Sequence, residues 1–327
     1  MDRRSVIRAV AAVAGLVALP SAHSQQAPKY RIGYLNPNSP AMGSFQLDAT
    51  LNGLKELGLV RGRDFTLEER WARSDLERLP ALAQELIAVK PDVLVAIGTP
   101  AALAIARGTQ TVPIVFVSVS DPVGQRLVKS LREPGGNVTG VSNIGDQLIP
   151  KLLEAGLTLI PTASRIGLLV NPADGTTKQN IHTFDLAANA RNIRYSTHLV
   201  EHPFELKRAF EDVTNARTEL LVVPAQSIFI DGARELAELS LKVRVPVVSA
   251  FREVTAAGCL ASYGPNIVAS HRRAAAYVVR IFRGANPAQI PVEQPTQYQL
   301  VINLKTARAL GVTIGSGLLL RADEVLE

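Results

Sequence analysis

The chain has 327 residues and a formal net charge of +6 at pH 7, a length that fits one large or two medium domains. Its lysines and arginines are scattered among acidic residues with little aromatic interleaving, which argues against a nucleic-acid partner. Cys259 is the single cysteine in the sequence. An intramolecular disulfide is therefore excluded, and we expect this thiol to be a small buried hydrophobe.

The first residues have the pattern of an export signal. Arg3-Arg4 precedes an apolar stretch over residues 6–19, and Ala22-His23-Ser24 resembles a cleavage site. The apolar stretch is shorter than the roughly 20 residues that a membrane-spanning helix needs. We therefore expect residues 1–24 to be a signal peptide, cleaved near Ser24 after general secretory or twin-arginine export. The mature protein is expected to be soluble in the periplasm.

Beyond this segment, short apolar runs alternate with amphipathic stretches, a pattern typical of parallel strands joined by crossover helices. Runs such as residues 93–97 lack apolar–polar alternation, so we expect helices on both faces of each sheet. The sequence thus predicts an α/β fold of two doubly wound parallel-sheet lobes. The predicted strands are residues 31–35, 65–71, 93–97, 114–119, 138–141, 166–170, 194–200, 220–223, 245–249 and 259–263.

The two halves of the predicted fold resemble each other in sequence. Arg31-Ile32-Gly33-Tyr34-Leu35 is echoed 134 positions later by Arg165-Ile166-Gly167-Leu168-Leu169. Val112-Pro113 precedes one predicted strand and is echoed 133 positions later by Val245-Pro246. Two matches at nearly the same offset indicate duplicated lobes.

Polar residues follow the predicted strands in both halves. Parallel α/β sheets present their ligand-facing loops at the carboxyl ends of their strands, so two facing lobes would enclose a ligand cleft there. Each residue alone also fits a turn former or a helix cap, whereas their concentration at one edge favours binding. The candidate ligand-binding residues are Asn36, Asn38, Ser39, Gly98, Thr99, Pro100, Ser118, Ser120, Asp121, Asn171, Gln226, Ser249, Phe251 and Tyr263.

Some of these positions carry specific hypotheses. Thr99 is predicted as a helix N-cap with Pro100 at the first helical position, and the same helix start offers N–H donors to a ligand carboxylate. Asp121 is expected either to brace a turn or to pair with a ligand ammonium group. Phe251 and Tyr263 are expected either in the core or against an apolar ligand body.

Motifs for catalysis and cofactor binding do not occur in the sequence. It contains no Gly-x-Gly-x-x-Gly after a predicted strand, no phosphate-binding loop and no Gly-x-Ser-x-Gly elbow. His198 and His202 are four residues apart, but Pro203 follows and the first lies in a predicted strand, so a metal pair is not expected. We expect no cofactor, no metal and no catalytic residue. An exported α/β enzyme acting on a small organic acid stays open as the alternative.

Several stretches resemble the periplasmic substrate-binding proteins of ABC transporters, in the family that includes tryptophan and tyrosine binders. The resemblance covers essentially the whole mature chain, and its motifs are specific as a group. The stretches that carry it are residues 51–58, 97–102, 121–123, 132–141, 261–266, 272–277, 300–307 and 321–325.

This resemblance implies a type I periplasmic-binding fold, in which hinge crossings join lobes that close on a ligand. It implies one lobe from residues 28–140 plus 264–292 and the other from residues 141–263 plus 293–327. The implied ligand is a small carboxylate such as an amino acid or an aromatic acid. The implied partners are a cognate ABC permease and ATPase, and the membrane is contacted only through the permease.

A ligand-sensing regulator uses similar lobes and is the less favoured alternative. Such a regulator needs an N-terminal helix-turn-helix module, and here the export segment leads straight into the first predicted strand.

Overall fold

The computed structural model describes residues 28–143, 145–295 and 297–327, so the predicted signal peptide lies outside the described residues. The first part of the described chain alternates strands and helices, as the apolar runs predict. Its elements are β1 (Tyr30–Asn36), α1 (Pro40–Glu56), β2 (Phe65–Trp71), α2 (Leu79–Ala88), β3 (Val93–Ile97), α3 (Gly98–Gly108), β4 (Ile114–Ser120) and β5 (Val138–Asn143).

The rest of the chain repeats this alternation and then adds further elements. These are α4 (Gly145–Leu159), β6 (Arg165–Val170), α5 (Thr177–Asn189), β7 (Arg194–Leu199), α6 (Leu206–Asn215), β8 (Leu220–Val223), α7 (Ile228–Asp231), α8 (Ala233–Val243), β9 (Val247–Ser249), α9 (Arg252–Ala256), β10 (Ala261–Pro265), α10 (Ile267–Phe282), β11 (Tyr298–Asn303), α11 (Leu304–Leu310), α12 (Ser316–Leu319) and β12 (Glu324–Leu326).

The strands form two sheets with the same internal order. The first sheet has the order β2-β1-β3-β4-β5, and the second contains β7-β6-β8-β9-β10, extended by β11 and β12. All strand pairs of the first sheet are parallel. The predicted fold class, an α/β protein with two parallel-sheet lobes, is therefore confirmed, and the duplication seen in the sequence is matched by the duplicated strand order.

Two predicted strands start later than expected, for local reasons. The backbone N–H of Val245 donates to the Ser240 carbonyl and closes the end of α8, so β9 begins only at Val247. In the same way, the N–H of Cys259 donates to the Val254 carbonyl beyond α9, and β10 begins at Ala261. Apolar runs do not separate a strand from the turn that leads into it.

The second sheet also contains strands that were not predicted. Strand β11 pairs with β10 in the antiparallel direction, and β12 pairs in parallel with β11. Pairing of β11 with β10 depends on a long excursion of the chain between them, and no local sequence signal reports such a contact.

That excursion contains helix α10, which lies between β10 and β11 in sequence but packs on the first sheet. It crosses α1 closely, because a Cβ at Gly53 would lie 2.6 Å from the carbonyl oxygen of Arg272. Near the end of α10, the ring of Phe282 stacks on Tyr30 of β1 with 4.0 Å between ring centroids. The first lobe is therefore built from two separate segments of the chain.

The sheet membership differs from the proposed lobe boundaries by a few residues. Strand β5 continues to Asn143, beyond the proposed limit at residue 140, and β10 continues to Pro265, beyond residue 263. On the return path, the N–H of Glu293 donates to the Gly140 carbonyl at 3.1 Å, which still attaches residue 293 to the first sheet. Within the described ranges, no helix is long and apolar enough to span a bilayer.

Candidate ligand-binding cleft

The loops at the carboxyl ends of the two sheets face each other and enclose a small cavity of about 20 Å³. Loops after β1, β3 and β4 of the first lobe meet loops after β6, β8 and β9 of the second, as expected for facing α/β sheets. The residues that line the cavity are Gln46, Ile97, Gly98, Thr99, Pro100, Ser118, Asn143, Asp174, Ala225, Ser227, Ile230, Phe251 and Ile267.

Five of the predicted binding residues line this cavity, and most of the others lie next to the lining residues. Those that line it are Gly98, Thr99, Pro100, Ser118 and Phe251. Most of the remaining candidates hold the lining residues in place through hydrogen bonds or join the two lobes.

Thr99 does not cap helix α3 as predicted. The helix begins at Gly98, its N-cap position is Ile97, and no side chain caps it. Instead, the Thr99 hydroxyl oxygen accepts a hydrogen bond from the backbone N–H of Ser120 at 3.0 Å. Gly98 has φ of +72°, a left-handed conformation that turns strand β3 directly into the helix. The last residue of β3, Ile97, therefore occupies the N-cap position, and its apolar side chain cannot cap the helix.

A short hydrogen-bond network continues the first wall of the cavity. The Ser120 hydroxyl donates to Oδ1 of Asn143 at 2.7 Å, and Nδ2 of Asn143 donates to the Ser118 carbonyl at 3.1 Å. Ser118 has φ of +61° where the register of β4 against β5 shifts. Such a conformation costs free energy in a non-glycine residue, and it is typically retained where a binding surface needs it.

Asn36 contributes to the cavity indirectly. Its side chain is fully buried, and its Nδ2 donates to Oε1 of Gln46 at 2.8 Å and to the Tyr34 hydroxyl at 3.1 Å. Gln46 lies on the second turn of α1 and lines the cavity. Asn36 therefore orients Gln46, a residue that the sequence analysis did not select because it occupies an ordinary helical position.

The wall formed by the second lobe is organised by Gln226. Its Oε1 accepts from the backbone N–H of Asn171 at 2.8 Å, and its Nε2 donates to the Thr177 hydroxyl at 2.7 Å. Asn171 and Gln226 are both buried, so these two predicted residues brace the loop between β6 and α5 and do not line the cavity.

Asp174 is the acidic residue among those that line the cavity in the described chain. Its Oδ1 accepts from the backbone N–H of Thr176 at 2.9 Å and from the Thr176 hydroxyl at 2.7 Å. Burial raises the pKa of the Asp174 carboxyl, and the hydrogen bonds from Thr176 oppose that rise. Burial disfavours the charged form of this carboxyl, and a cationic group placed beside it would favour that form again.

Asp121 occupies a different position from the one proposed for an ammonium partner. It is exposed, has φ of +43°, and its Oδ1 accepts from the backbone N–H of Gly124 at 2.8 Å. It borders a separate opening of about 350 Å³ between the lobes, together with Lys178 of the second lobe. The interpretation of Asp121 as a residue that braces a turn is the one that agrees with this geometry.

Tyr263 lies outside the cleft. Its ring stacks on Tyr298, with ring centroids 5.9 Å apart, and it faces a groove of about 210 Å³ bordered by Lys151 and Leu300. Side chains alternate between the two faces of a strand, and in β10 this alternation directs Tyr263 toward α4. Tyr263 therefore borders this groove and not the cavity between the lobes, and its contact with a ligand stays a prediction.

Ser249 and Phe251 act together at the start of helix α9. The Ser249 hydroxyl oxygen accepts from the backbone N–H of Phe251 at 3.2 Å, and Phe251 is the N-cap residue of the helix. Phe251 is buried in the core of the second lobe and also lines the cavity beside Ile230. Phe251 therefore packs in the core as one interpretation expected, and its contact with a ligand stays a prediction.

Asn38 and Ser39 join the two lobes at the edge of the cavity. Nδ2 of Asn38 donates to the Ser227 carbonyl at 2.7 Å. The backbone N–H of Ser39 donates to Asp231 Oδ2 at 2.9 Å, and its hydroxyl donates to Oδ1 at 3.0 Å. Ser227 and Asp231 belong to the second lobe and were not selected from the sequence, because a contact across the cleft leaves no local pattern.

Within the described part of the chain, the surroundings of His198 and Cys259 indicate neither a metal site nor a nucleophile. His198 lies in β7, and its Nε2 is 2.8 Å from the Ser196 hydroxyl. In the described ranges, no group of three metal-ligating side chains is present. Cys259 is buried, and this burial raises the pKa of its thiol, which keeps it protonated and unreactive.

Comparisons with known proteins agree with this arrangement. The sequence profile of the ABC transporter substrate binding protein family matches residues 40–326. The tyrosine-binding protein of Clostridioides difficile (strain R20291) is 26% identical over 260 residues, which cover 80% of this chain and 74% of that protein.

Solved structures show the same relationship. An ABC domain from Streptococcus pneumonia in complex with L-Trp superposes with a TM-score of 0.82 at 26% identity, covering 91% of this chain and 99% of that chain. A conserved domain protein from Vibrio cholerae superposes with a TM-score of 0.85 at 26% identity, covering 90% and 99% of the two chains.

Proposed function

Because the chain belongs to the family of ABC transporter substrate binding proteins, we propose that it binds an amino acid between its lobes and delivers it to an importer. The observation that carries this proposal is the composition of the cavity wall. A helix start, a buried carboxylate and a set of apolar side chains surround one small space. These are the groups needed for the carboxylate, the ammonium group and the side chain of an amino acid.

The start of helix α3 is the proposed site for the ligand carboxylate. The first N–H groups of a helix lack intrahelical partners and carry the positive end of the helix dipole. The Thr99 hydroxyl oxygen already accepts from Ser120, so its hydrogen remains to donate to the ligand. Thr99 thus keeps its proposed role as a carboxylate donor, although it does not cap the helix.

Asp174 is the proposed partner of the ligand ammonium group, in place of Asp121. It lines the cavity and faces it from the second lobe, whereas α3 belongs to the first. A ligand held by Thr99 and Asp174 would therefore connect the two lobes. Such a connection favours the closed arrangement, because each lobe alone offers only part of the binding groups.

An aromatic amino acid is the proposed ligand class. Relatives of this chain are named for tyrosine binding or contain L-Trp, and Ile230, Phe251 and Ile267 provide an apolar surface. The cavity of about 20 Å³ has room for about one water. The lobes must therefore move apart from the described arrangement before such a ligand can enter.

We further propose that the protein works in the periplasm with a cognate permease and ATPase. The support is the export pattern of residues 1–24 together with the family, whose members bind substrates for ABC transporters. N-terminal sequencing of the periplasmic fraction should find a chain that begins near Gln25. Recovery of only the uncleaved chain from the cytoplasm would contradict this location.

Identification of a co-purified ligand is the direct test of binding. The protein is purified gently and denatured, and the released small molecules are analysed by mass spectrometry. Thermal shift against L-Trp, L-Tyr and their deaminated analogues complements this, since a ligand at 100 times its Kd adds about 2.7 kcal/mol to the free energy of unfolding. Chemical turnover of the bound compound, rather than its release unchanged, would favour the alternative of an exported enzyme.

A further inference from the structure

The carboxylate of Asp231, at the end of α7, connects the second lobe to two segments of the first. Its oxygens accept from the backbone N–H of Ser39 at 3.1 and 2.9 Å, from the Ser39 hydroxyl at 3.0 Å and, through a short contact, from the Ser74 hydroxyl. All of these donors belong to the first lobe. Separation of the lobes would therefore remove every one of these hydrogen bonds at once.

The position of Ser39 makes this contact favourable for a negative charge. Ser39 is the N-cap residue of α1, a helix of 17 residues, and its side chain makes no capping bond within the helix. The hydroxyl that would ordinarily cap α1 donates to Asp231 instead. The carboxylate of one lobe thus lies at the positive end of a long helix of the other, where an anion is stabilised.

The Ser74 side of the contact is held by an uncommon backbone conformation. Arg73 and Ser74 have φ of +57° and +62°, so two consecutive non-glycine residues occupy the left-handed region. The N–H of Ser74 donates to the Pro37 carbonyl at 2.7 Å, which ties this turn to the loop that carries Ser39. Residues in such conformations cost free energy and persist where the surrounding structure holds them.

The donors to Asp231 in the described residues are all uncharged. Burial raises the pKa of the Asp231 carboxyl, and hydrogen bonds from Ser74 and Ser39 oppose the rise. The carboxylate is thus partly removed from water and compensated by hydrogen bonds that exist only while the lobes are in contact. In an open arrangement, water would replace them.

Ser227, which directly precedes the helix α7 that carries Asp231, narrows the cavity. The Ser227 carbonyl accepts from Asn38 at 2.7 Å, and a Cβ at Gly98 would lie 3.3 Å from the Ser227 hydroxyl oxygen. With these contacts made, the cavity holds about 20 Å³, room for about one water. An amino acid can therefore enter only after the lobes separate, and this separation breaks the contacts of Asp231.

We propose that Asp231, with Ser39 and Ser74, is an interlobe latch that holds the cleft shut and must release before a ligand enters. The latch slows ligand entry, because only the released fraction of the molecules can admit a ligand. This inference rests on the proposed function for the identity of the ligand. The latch itself is a property of the protein alone and is tested without a ligand.

Distances between the lobes, measured without ligand, test the latch directly. Nitroxide labels are attached to cysteines introduced at the exposed positions Ala88 in α2 and Lys207 in α6, while the native Cys259 is buried and stays unlabelled. Pulsed electron–electron double resonance should show one dominant short distance between the two labels in the protein that carries no other substitution. In Asp231→Asn, and more so in Asp231→Ala, the population should shift to longer distances.

Asp185→Asn is the matched control. Asp185 accepts from the Tyr195 hydroxyl at 2.9 Å and from Asn189 at 2.9 Å, all within the second lobe, and this variant should keep the short distance. The double variant Ser39→Ala with Ser74→Ala removes the donors from the other lobe and should reproduce the shift. Unchanged distances in the Asp231 variants and the double variant would overturn the latch.

Stopped-flow binding of L-Trp tests whether release of the latch limits ligand entry. Asp231→Asn should raise the association rate constant at least about threefold, since a larger fraction of molecules is open, and Asp185→Asn should leave it unchanged. An unchanged or slower association in Asp231→Asn would overturn this role of the latch. If the distances shift as expected but no variant binds L-Trp or L-Tyr, the latch stands and the proposed ligand class fails.

Discussion

Asp121 and Asp174 differ in what surrounds them, and this difference decides which one can meet a ligand. Asp121 is exposed and bonded to its own turn through the N–H of Gly124, whereas Asp174 is buried at the cavity wall. A charge pair with a ligand is strong only where water is excluded, because water screens exposed charges. Of the two carboxylates, Asp174 is therefore the one expected to contribute to affinity.

Replacement of Asp174 should discriminate amino acids from deaminated acids. We expect Asp174→Asn to weaken the binding of L-Trp by about 30-fold or more, equivalent to about 2 kcal/mol. The binding of indole-3-propionate, which lacks the ammonium group, should weaken only slightly. Affinity of the unchanged protein for L-Trp should fall as the pH is lowered through the raised pKa of Asp174, and this dependence should be lost in the variant. Calorimetric titration at several pH values measures both effects.

Asp121→Asn is the control for this prediction, because it makes the same chemical change outside the cavity. It should alter Kd for L-Trp by less than about threefold, in line with the small contribution of exposed charges. Equal losses of affinity for L-Trp and indole-3-propionate in Asp174→Asn would contradict the pairing of Asp174 with the ligand ammonium group.

His271 is a buried residue whose titration should destabilise the protein in acid. Its Nδ1 is 3.4 Å from the Thr50 hydroxyl, its Nε2 has no hydrogen-bond partner, and burial lowers its pKa to about 3. In the unfolded chain the pKa is near 6.5, so below that pH the unfolded state binds a proton that the folded state does not. The contribution of the uncharged His271 to the free energy of unfolding is therefore complete above pH 6.5 and is lost as the pH falls toward 3.

Urea denaturation at pH 6.5 and pH 4.5 tests the role of His271. For one extra proton bound by the unfolded state, the free energy of unfolding falls by about 1.4 kcal/mol per pH unit. In His271→Gln, the loss between these two pH values should be smaller by about 2 to 3 kcal/mol. The exposed His182 provides the control, and an equal reduction in His182→Gln would contradict the assignment.

At the scale of elements, the contact between α1 and α10 depends on a glycine. A Cβ at Gly53 would lie 2.6 Å from the Arg272 carbonyl oxygen and 2.9 Å from Cβ of Ala275. Gly53→Ala should therefore lower the free energy of unfolding by about 1 to 3 kcal/mol through overpacking, despite the higher helix propensity of alanine. Chemical denaturation with unchanged m value measures this loss.

Gly317 provides the matched substitution in another helix. It lies in α12, and a Cβ there would meet no atom within 4 Å. Gly317→Ala should leave the protein unchanged or stabilise it by up to about 1 kcal/mol. Similar effects of the two substitutions would mean that the helix crossing is looser than described.

At the scale of the whole molecule, the first lobe is completed only when α10 returns to it. The core around β1, β3 and β4 includes Tyr277, Val278 and Ile281 of this helix. Residues 28–143 alone would leave that apolar face exposed to water, and we expect this fragment to aggregate or to lack fixed tertiary structure.

Joining residues 28–143 to residues 266–294 through a flexible Gly/Ser linker should restore a folded lobe. The expected results are dispersed amide resonances and a cooperative thermal transition, both absent from the shorter fragment. A cooperative transition in residues 28–143 alone would show that the lobe boundary is wrong.

The sequence by itself determined the elements and their duplication. Strands such as Val93–Ile97 and Leu220–Val223 have the predicted limits, because burial on both faces requires a continuous apolar run. The echo between residues 31–35 and 165–169 corresponds to β1 and β6, which hold equivalent places in the two sheets. These features depend on residues close together in the chain, so local sequence carries them.

Only the tertiary structure decided which polar groups meet. Asp174 and Thr99 come from different lobes, as do Asp231 and Ser39, and their proximity depends on how the lobes face each other. The direction of Tyr263, away from the cleft, depends on which face of β10 turns toward α4. Contacts between residues far apart in the chain arise from packing of whole elements, and no pattern within one segment records them.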